Sequence, residues 1–361
     1  MSGREEEQDV AREPQFAGSR ATSPGGGDSR RLAVVTGAAG FIGRHLVEVF
    51  RAEGWKVRAL DVAAPGPTDG ESLPEGVEWH RADIRDREAI QPLVQGADVV
   101  IHLASAHLQH RAPAGWYESV NVEGTRTLVE EAGRAGVRRF VHVSSVGVYG
   151  HVANPPIDEG GPLHPTNEYE RTKRLGEAAA LTAGARGGPE VVILRPGWVY
   201  GPGCPRTAKL LRTIRRGRFF YVGGGSNLRH PIHVADTVEA MRLAVDAPPG
   251  VAGEIYLVVG PEAVRVRELV DTCARLQGVR SPRIRLPRFL VNAGLVGVEA
   301  LFGLIGREPP ASRRSLAFFE HDNAFSGKKA ETELGFIPRL GLEDGLRATL
   351  AAASPNAGEA H

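Results

Sequence analysis

Tyr169 and Lys173 stand four residues apart, and on a helix that spacing places both side chains on one face. A phenol ordinarily ionises near pH ~10, too high for a base at neutral pH, whereas a nearby ammonium favours the phenolate and lowers that value. In isolation the pair also describes two solvated residues on a helix surface. Ser145 changes the balance, because it follows the apolar run 140–143. If that run is a strand of a parallel sheet, Ser145 sits at the carboxyl edge, where such sheets bind ligands. A hydroxyl there can orient a substrate hydroxyl or carbonyl against Tyr169.

A second group lies upstream. Residues 34–46 read as an apolar strand, a glycine-rich turn and the start of an amphipathic helix. Gly37 permits a tight turn, Gly40 lets the backbone approach an anion without a Cβ in the way, and Gly43 lets helix and strand pack closely. The helix N-terminus presents free N–H groups, so the whole is a cradle for the pyrophosphate of a dinucleotide. Asp61 follows 18 residues after Gly43, at the end of a second apolar run. There a carboxylate can accept hydrogen bonds from adenosine ribose hydroxyls and repel a 2′-phosphate, which favours NAD over NADP. Asp83 and Ile84, after a third run, are positioned to meet the adenine ring.

These groups need a scaffold, and the hydrophobic pattern supplies one. Strands are predicted at 32–36, 56–60, 77–80, 98–103, 140–144 and 191–194, with helices over 41–53, 86–95, 116–135 and 167–186. That alternation implies βαβ units: an α/β fold whose doubly wound parallel sheet is covered by helices on both faces. Residues 63–76, with three Pro and three Gly, read as an irregular connection. After Arg195 the pattern loosens into helices at 206–217, 234–246 and 265–277, a glycine turn at 223–227 and a strand at 254–259. Residues 1–30 read as a disordered leader and 351–361 as a loose tail. The boundaries that follow are 31–195 for a dinucleotide-binding domain and 196–350 for a smaller substrate domain interleaved with it.

The 44 basic and 43 acidic side chains are spread through the chain, with no basic block to mark nucleic-acid binding. Cys204 and Cys273 have no metal-ligand spacing and fit a reducing compartment. With no apolar secretion signal at the N-terminus, the chain reads as cytoplasmic. The apolar run 289–305 is interrupted by Asn292 and Glu299 and is short for a membrane span of about 20 residues. It reads as a buried or pocket-lining helix, with interfacial membrane contact as the alternative.

Taken together, the motifs resemble the extended short-chain dehydrogenase/reductases. They are Gly37-Ala-Ala-Gly40-Phe-Ile-Gly43, His102-Leu-Ala-Ser105, Asn121-Val-Glu-Gly-Thr125, Ser144-Ser145-Val-Gly-Val-Tyr149-Gly150, Tyr169-xxx-Lys173 and Arg195-Pro-Gly-Trp-Val-Tyr-Gly-Pro202. The resemblance covers roughly 31–350. It implies a Rossmann fold, NAD as cofactor, no metal, and a catalytic set of Ser145, Tyr169 and Lys173. Tyr169 would pass the proton, Ser145 would hold the reacting oxygen, and Lys173 would bind the nicotinamide ribose and tune Tyr169. Phe41, Ile42, Leu103, Ala104, Ser105, Pro196 and Val199 would join Gly37, Gly40, Gly43, Asp61, Asp83, Ile84, Tyr169 and Lys173 around the cofactor, while Asn121 would support the architecture. A homodimer through the helices around 116–135 and 167–186 is implied in the same way.

Three departures narrow the branch. Sugar-nucleotide dehydratases of the family place an acidic pair after the catalytic hydroxyl, where this chain has Val146 and Gly147. Many sugar-nucleotide enzymes carry Asn where this chain has Trp198, which either packs or shapes the substrate site. The segments 196–203, 223–227 and 230–236, the apolar stretch 286–306 and Phe325-Ser-x-x-Lys-Ala…Glu-Leu-Gly-Phe336 resemble the 3β-hydroxysteroid dehydrogenase-like branch. The resemblance therefore implies an NAD-dependent oxidoreductase interconverting a secondary alcohol and ketone on a lipophilic or alicyclic small molecule. A UDP-sugar 4-epimerase is the alternative, and a dinucleotide-sensing protein without catalysis a further one. His233 and Asp236 are read as parts of the substrate-side framework.

Overall fold

The computed structural model describes residues 31–63, 76–106, 112–305, 316, 319 and 321–352. The leader, nearly all of the 63–76 connection and all but the first two residues of the tail lie outside these. Among the described residues, seven strands form one parallel sheet: β1 (Leu32–Thr36), β2 (Lys56–Asp61), β3 (Val77–Arg81), β4 (Val99–His102), β5 (Arg139–Val143), β6 (Glu190–Pro196) and β11 (Ile255–Val258), in the order β11-β6-β5-β4-β1-β2-β3. The order reverses direction between β1 and β4, and the crevice at such a switch is where these sheets take ligands.

Alternation along each strand decides which layer a side chain joins. Val35, Ala59, Ile101, Val141 and Val192 face one side and pack with α1 (Phe41–Ala52) and α7 (Val234–Asp246). Val34, Leu60, Val100, Phe140 and Val191 face the other, against α2 (Arg87–Val94), α4 (Thr125–Arg134) and α5 (Glu168–Ala185). Both faces are thus covered, as the near-continuous apolar strands require.

Between β4 and α4 the predicted helix 116–135 is not uniform. A short turn of helix, α3 (Trp116–Glu118), widens into a π-helical segment over Ser119–Gly124 before α4 begins. The widening sets Asn121 facing inward, where its carbonyl lies 2.4 Å from the position a Cβ on Gly176 would take. Helix α5 therefore packs directly on this backbone, and a larger residue at 176 would push it away.

A smaller layer beyond the sheet is built from β7 (Trp198–Tyr200), α6 (Pro205–Arg215), β8 (Tyr221–Val222), β9 (Leu228–Arg229), β10 (Pro231–His233), β12 (Val264–Arg265), α8 (Val266–Leu276) and β13 (Arg285–Leu286). The pairs β7–β10, β9–β12 and β8–β13 are two or three residues long, too short to show a period in sequence. Leu211, Ile214, Phe219, Leu269 and Val270 form its core together with Leu342 and Leu346. The latter two belong to the last described helix, α11 (Leu342–Ala352), which extends two residues into the expected tail and follows α10 (Lys328–Leu334).

Helix α9 (Arg288–Leu304) forms where the apolar run predicts one, but the expectation of burial fails: none of its described side chains is buried.

A buried ion pair fixes α5 on the sheet. Arg195 on β6 donates to both carboxylate oxygens of Glu177 at 2.9 and 2.7 Å, and to the Tyr149 hydroxyl at 2.6 Å. Both charged side chains are at most 4% exposed. Removing one partner strands the other charge in the interior, which costs about 3–5 kcal/mol. Glu177→Ala is expected to lower unfolding stability by that amount in urea titrations, and a change below about 1 kcal/mol would show that the pair does not hold α5.

Candidate functional site

The glycine turn has the steric form the motif implies. Gly37 has φ +71°, and a Cβ there would meet the backbone of Ala104 at 2.7 Å. At Gly43 a Cβ would fall 2.2 Å from the Gly37 carbonyl, so only glycine lets α1 start this close to β1. Above Gly40 the space is open apart from the Gly37 carbonyl at 3.0 Å. This leaves a cradle at the start of α1 into which a pyrophosphate fits. Phe41 and Ile42 open α1 and pack against the core.

Asp61 ends β2 beside this turn, and its carboxylate accepts from the Ala39 and Ala63 backbone N–H groups, both at 3.0 Å. Those bonds aim the carboxylate at the cradle, where ribose hydroxyls of a dinucleotide can reach it. Asp83 is gripped by Arg85 at 2.6 Å, and that hydrogen bond holds its carboxyl below the usual range. The Ile84 side chain is buried against Gly124, in the core beneath; it does not face outward.

The loop after β4 is tied to the same turn. Leu103 N donates to the Thr36 carbonyl at 3.1 Å and Ala104 N to the Thr36 hydroxyl at 3.2 Å. The Thr36 hydroxyl lies 2.7 Å from Nδ1 of His102, whose Nε2 is 3.0 Å from the Thr125 hydroxyl. Because Thr125 donates to the Asn121 carbonyl at 2.8 Å, its oxygen accepts from His102, which places the ring proton on Nε2. Burial, reinforced by Lys173, brings the His102 pKa down to about 3, so the ring stays neutral. Asn121 then joins the loop to α5: it accepts from Ala106 N at 2.7 Å and donates to the Thr172 hydroxyl at 3.0 Å.

Ser145, Tyr169 and Lys173 stand at the carboxyl edge as expected. Ser145 caps a 3₁₀ turn over Val146–Tyr149, and its oxygen accepts from Gly147 N at 3.0 Å, leaving the hydroxyl proton for a ligand oxygen. Asn167 caps α5 through the Glu170 N–H and so starts the helix at Glu168, one residue before Tyr169. Lys173 is buried and donates to the Val143 carbonyl at 2.7 Å, which uses one of its three donors. Burial brings its pKa down to about 8 although Glu177 pulls the other way.

The electrostatics of the phenol differ from the sequence argument. Burial raises the Tyr169 pKa, and the groups acting against burial are Arg206 first and then a hydrogen bond with Ser105. The Lys173 ammonium is drawn instead to the Val143 carbonyl. Arg206, at the start of α6, was missed in the sequence; the Cys204-Pro205 pair marks that helix start. Ser105 was assigned to the cofactor and also serves the phenol.

Pro196 ends β6 and Val199 lies in β7, beside Trp198, whose ring stacks on Tyr200 at 5.9 Å. His233 caps α7 through Ala235 N, and Asp236 accepts from the backbone of Arg339 and Leu340 at 3.1 and 3.0 Å. Both are thus framework residues. No group of three or more metal-binding side chains occurs among the described residues.

Comparison with known proteins gives the family and relatives of the fold. The NAD dependent epimerase/dehydratase family matches residues 33–259. A 3beta-hydroxysteroid-dehydrogenase/decarboxylase isoform 2 of Arabidopsis thaliana is 29% identical over 356 residues, covering 91% of this chain, and the chain spans 63% of that relative's length. Sterol demethylase protein B of Methylococcus capsulatus is 32% identical, covering 84% of this chain and 93% of its own. Among solved structures, a dTDP-glucose 4,6-dehydratase from Streptomyces venezuelae with NAD bound superposes with a TM-score of 0.72 at 27% identity, covering 89% of this chain and 96% of the other.

The Lys173 environment has a measurable consequence. Between pH 8 and 10.5 the unfolded chain keeps a proton that the folded chain has released, so this lysine's contribution to stability rises with pH across that window. Lys173→Met is expected to flatten that rise in urea unfolding measured across the window; an unchanged slope would mean that the lysine is solvated.

Proposed function

From a chain that belongs to the NAD dependent epimerase/dehydratase family, we propose an NAD-dependent oxidoreductase that interconverts a secondary alcohol and its ketone on a lipophilic or alicyclic substrate. The observation that carries this reading is the local chemistry after β5. Ser145 offers one hydroxyl, and the next two positions are the buried Val146 and Gly147, whose N–H is spent on Ser145. One phenol and one hydroxyl can move one proton to or from a carbinol oxygen; the two positions beside Ser145 add no carboxyl group for an elimination.

Tyr169 takes the substrate hydroxyl proton on oxidation and returns it on reduction. Ser145 holds the same oxygen, and Lys173 turns its remaining donors toward the nicotinamide ribose. NAD, when bound, supplies the hydride acceptor. Gly37, Gly40 and Gly43 would hold its pyrophosphate, Asp61 the adenosine ribose, and the 103–105 and 196–199 segments the nicotinamide half. Residues 31–195 form the dinucleotide-binding part and 196–350 the substrate part of this reading. Trp198, a flat apolar ring after β6, and the steroid and sterol enzymes among the relatives favour a ring system over a diphosphate sugar. A homodimer through α4 and α5 belongs to the same proposal.

NADH absorbance with 3β-hydroxysteroids, other cyclic alcohols and UDP-sugars tests it: net NADH with a lipophilic alcohol is expected, and UDP-sugar isomerisation without net NADH would overturn it. Tyr169→Phe is expected to cut turnover roughly 10²–10⁴-fold with NAD affinity intact. Asp61→Ser is expected to weaken NAD about tenfold or more and to narrow the preference over NADP, followed by titrating each nucleotide.

A further inference from the structure

Helix α9 exposes a broad apolar face. At 100° per residue its three polar side chains, Arg288, Asn292 and Glu299, fall on one narrow stripe. The half-buried Val291, Leu295, Val298 and Phe302 lie beside that stripe, toward the protein. The opposite face carries apolar residues alone and is exposed along with Arg288 and Asn292: Phe289 is 70% exposed, Leu290 54%, Val296 45% and Leu301 57%. A surface helix of a soluble domain turns its polar side outward. An outward apolar face of this length requires a partner.

The surroundings identify the partner's charge. Strand β13 pairs with β8 at the root of α9, with Tyr221 N donating to the Ile284 carbonyl. This ribbon sets the exposed Phe220 and Ile284 beside the exposed Arg218, Arg283 and Arg285. The sequence contains no Asp or Glu from 191 to 235 or from 272 to 298, although the whole chain is nearly neutral at +1. Asp271, hydrogen-bonded to Tyr221 on β8, adds one carboxylate to this ribbon, so the three arginines leave it net positive and the apolar side chains project from a positive rim. A second copy of the chain on this face would bring like charges together, whereas an anionic surface with an apolar interior satisfies both features.

We propose that α9 seats the protein on the surface of an anionic lipid bilayer. The exposed face enters the headgroup–acyl boundary, and Arg218, Arg283 and Arg285 meet lipid phosphates. With 17 residues the helix is about 25 Å long, less than the ~30 Å hydrocarbon core, so it lies in the interface and does not cross it. No described helix is long and apolar enough to span a membrane. The inference is independent of the proposed chemistry, since it uses no residue of that site.

The test is flotation of the full-length chain with vesicles of phosphatidylcholine alone and of phosphatidylcholine mixed equally with phosphatidylglycerol. The expected result is binding to the mixed vesicles that falls as salt rises, with little on phosphatidylcholine alone. Arg283→Ala and Arg285→Ala should each weaken it roughly fivefold, and Leu290→Glu with Leu301→Glu should abolish it. Each variant is to keep its NAD affinity and unfolding midpoint, which separates lost docking from lost fold. Absence of flotation with the mixed vesicles would overturn the proposal. So would a lipid-independent oligomer that Leu290→Glu disperses, which would assign the face to self-association.

Discussion

A directed chain of buried hydrogen bonds holds the candidate site together. It runs from the Ala104 N–H to the Thr36 hydroxyl, through the His102 ring to Thr125, and on to the Asn121 carbonyl. Each donor has one acceptor in line, so the chain has a direction as well as a shape. Asn121 branches it to the 103–106 loop and to α5. The glycine cradle on β1, the loop after β4 and the helix bearing Tyr169 and Lys173 are thereby fixed relative to one another. A single bond of this kind contributes only about 1 kcal/mol net, but an orphaned member in this interior costs more, which gives the set its cooperativity.

Charge is arranged around this neutral chain with economy. The Glu177–Arg195 pair sits behind α5, and Arg195 is occupied by that carboxylate and by Tyr149. His102 and His142, both buried beside Lys173, have their pKa values pushed down by desolvation. Lys173 thus stands as a cation at the carboxyl end of β5, while Arg206 approaches the phenol from α6. Two positive groups from different parts of the chain thus act at this edge, and the second belongs to the smaller layer that holds Trp198 and Tyr200.

The parallel sheet and its helices were legible because mostly apolar strands of four to seven residues and helices of two or more turns carry a clear period. The predicted helix 234–246 coincides with α7. The placement of Ser145 after β5 and of Tyr169 and Lys173 on one helix was legible because each falls at a fixed place relative to such an element, whereas their grouping rested on the resemblance. The short pairs β7–β10, β9–β12 and β8–β13 were not, since two or three residues hold no pattern and their register is set by distant chain. For the same reason the role of Arg206 could not be read: its relation to Tyr169 arises only when α6 folds back over the sheet edge. The widened turn at Ser119–Gly124 and the exposure of α9 were hidden for a different reason. Apolar content predicts a helix but does not say what, if anything, will cover it.

The attachment of the C-terminal segment governs the order in which the molecule can be completed. Tyr200 donates to the Gly341 carbonyl, Asp236 accepts from the backbone at 339 and 340, and Arg275 pairs with Glu343. Gly345 lies so close to Tyr200 that a Cβ there would stand 2.1 Å from its hydroxyl oxygen. The strands β1 to β5 can assemble while the ribosome is still at work on the remainder of the chain. The core around Tyr200 and α8 stays open until α11 supplies Leu342 and Leu346. A chain that stops short of α11 therefore leaves Tyr200, Leu269 and Val270 without the side chains of Leu342 and Leu346 that close their core.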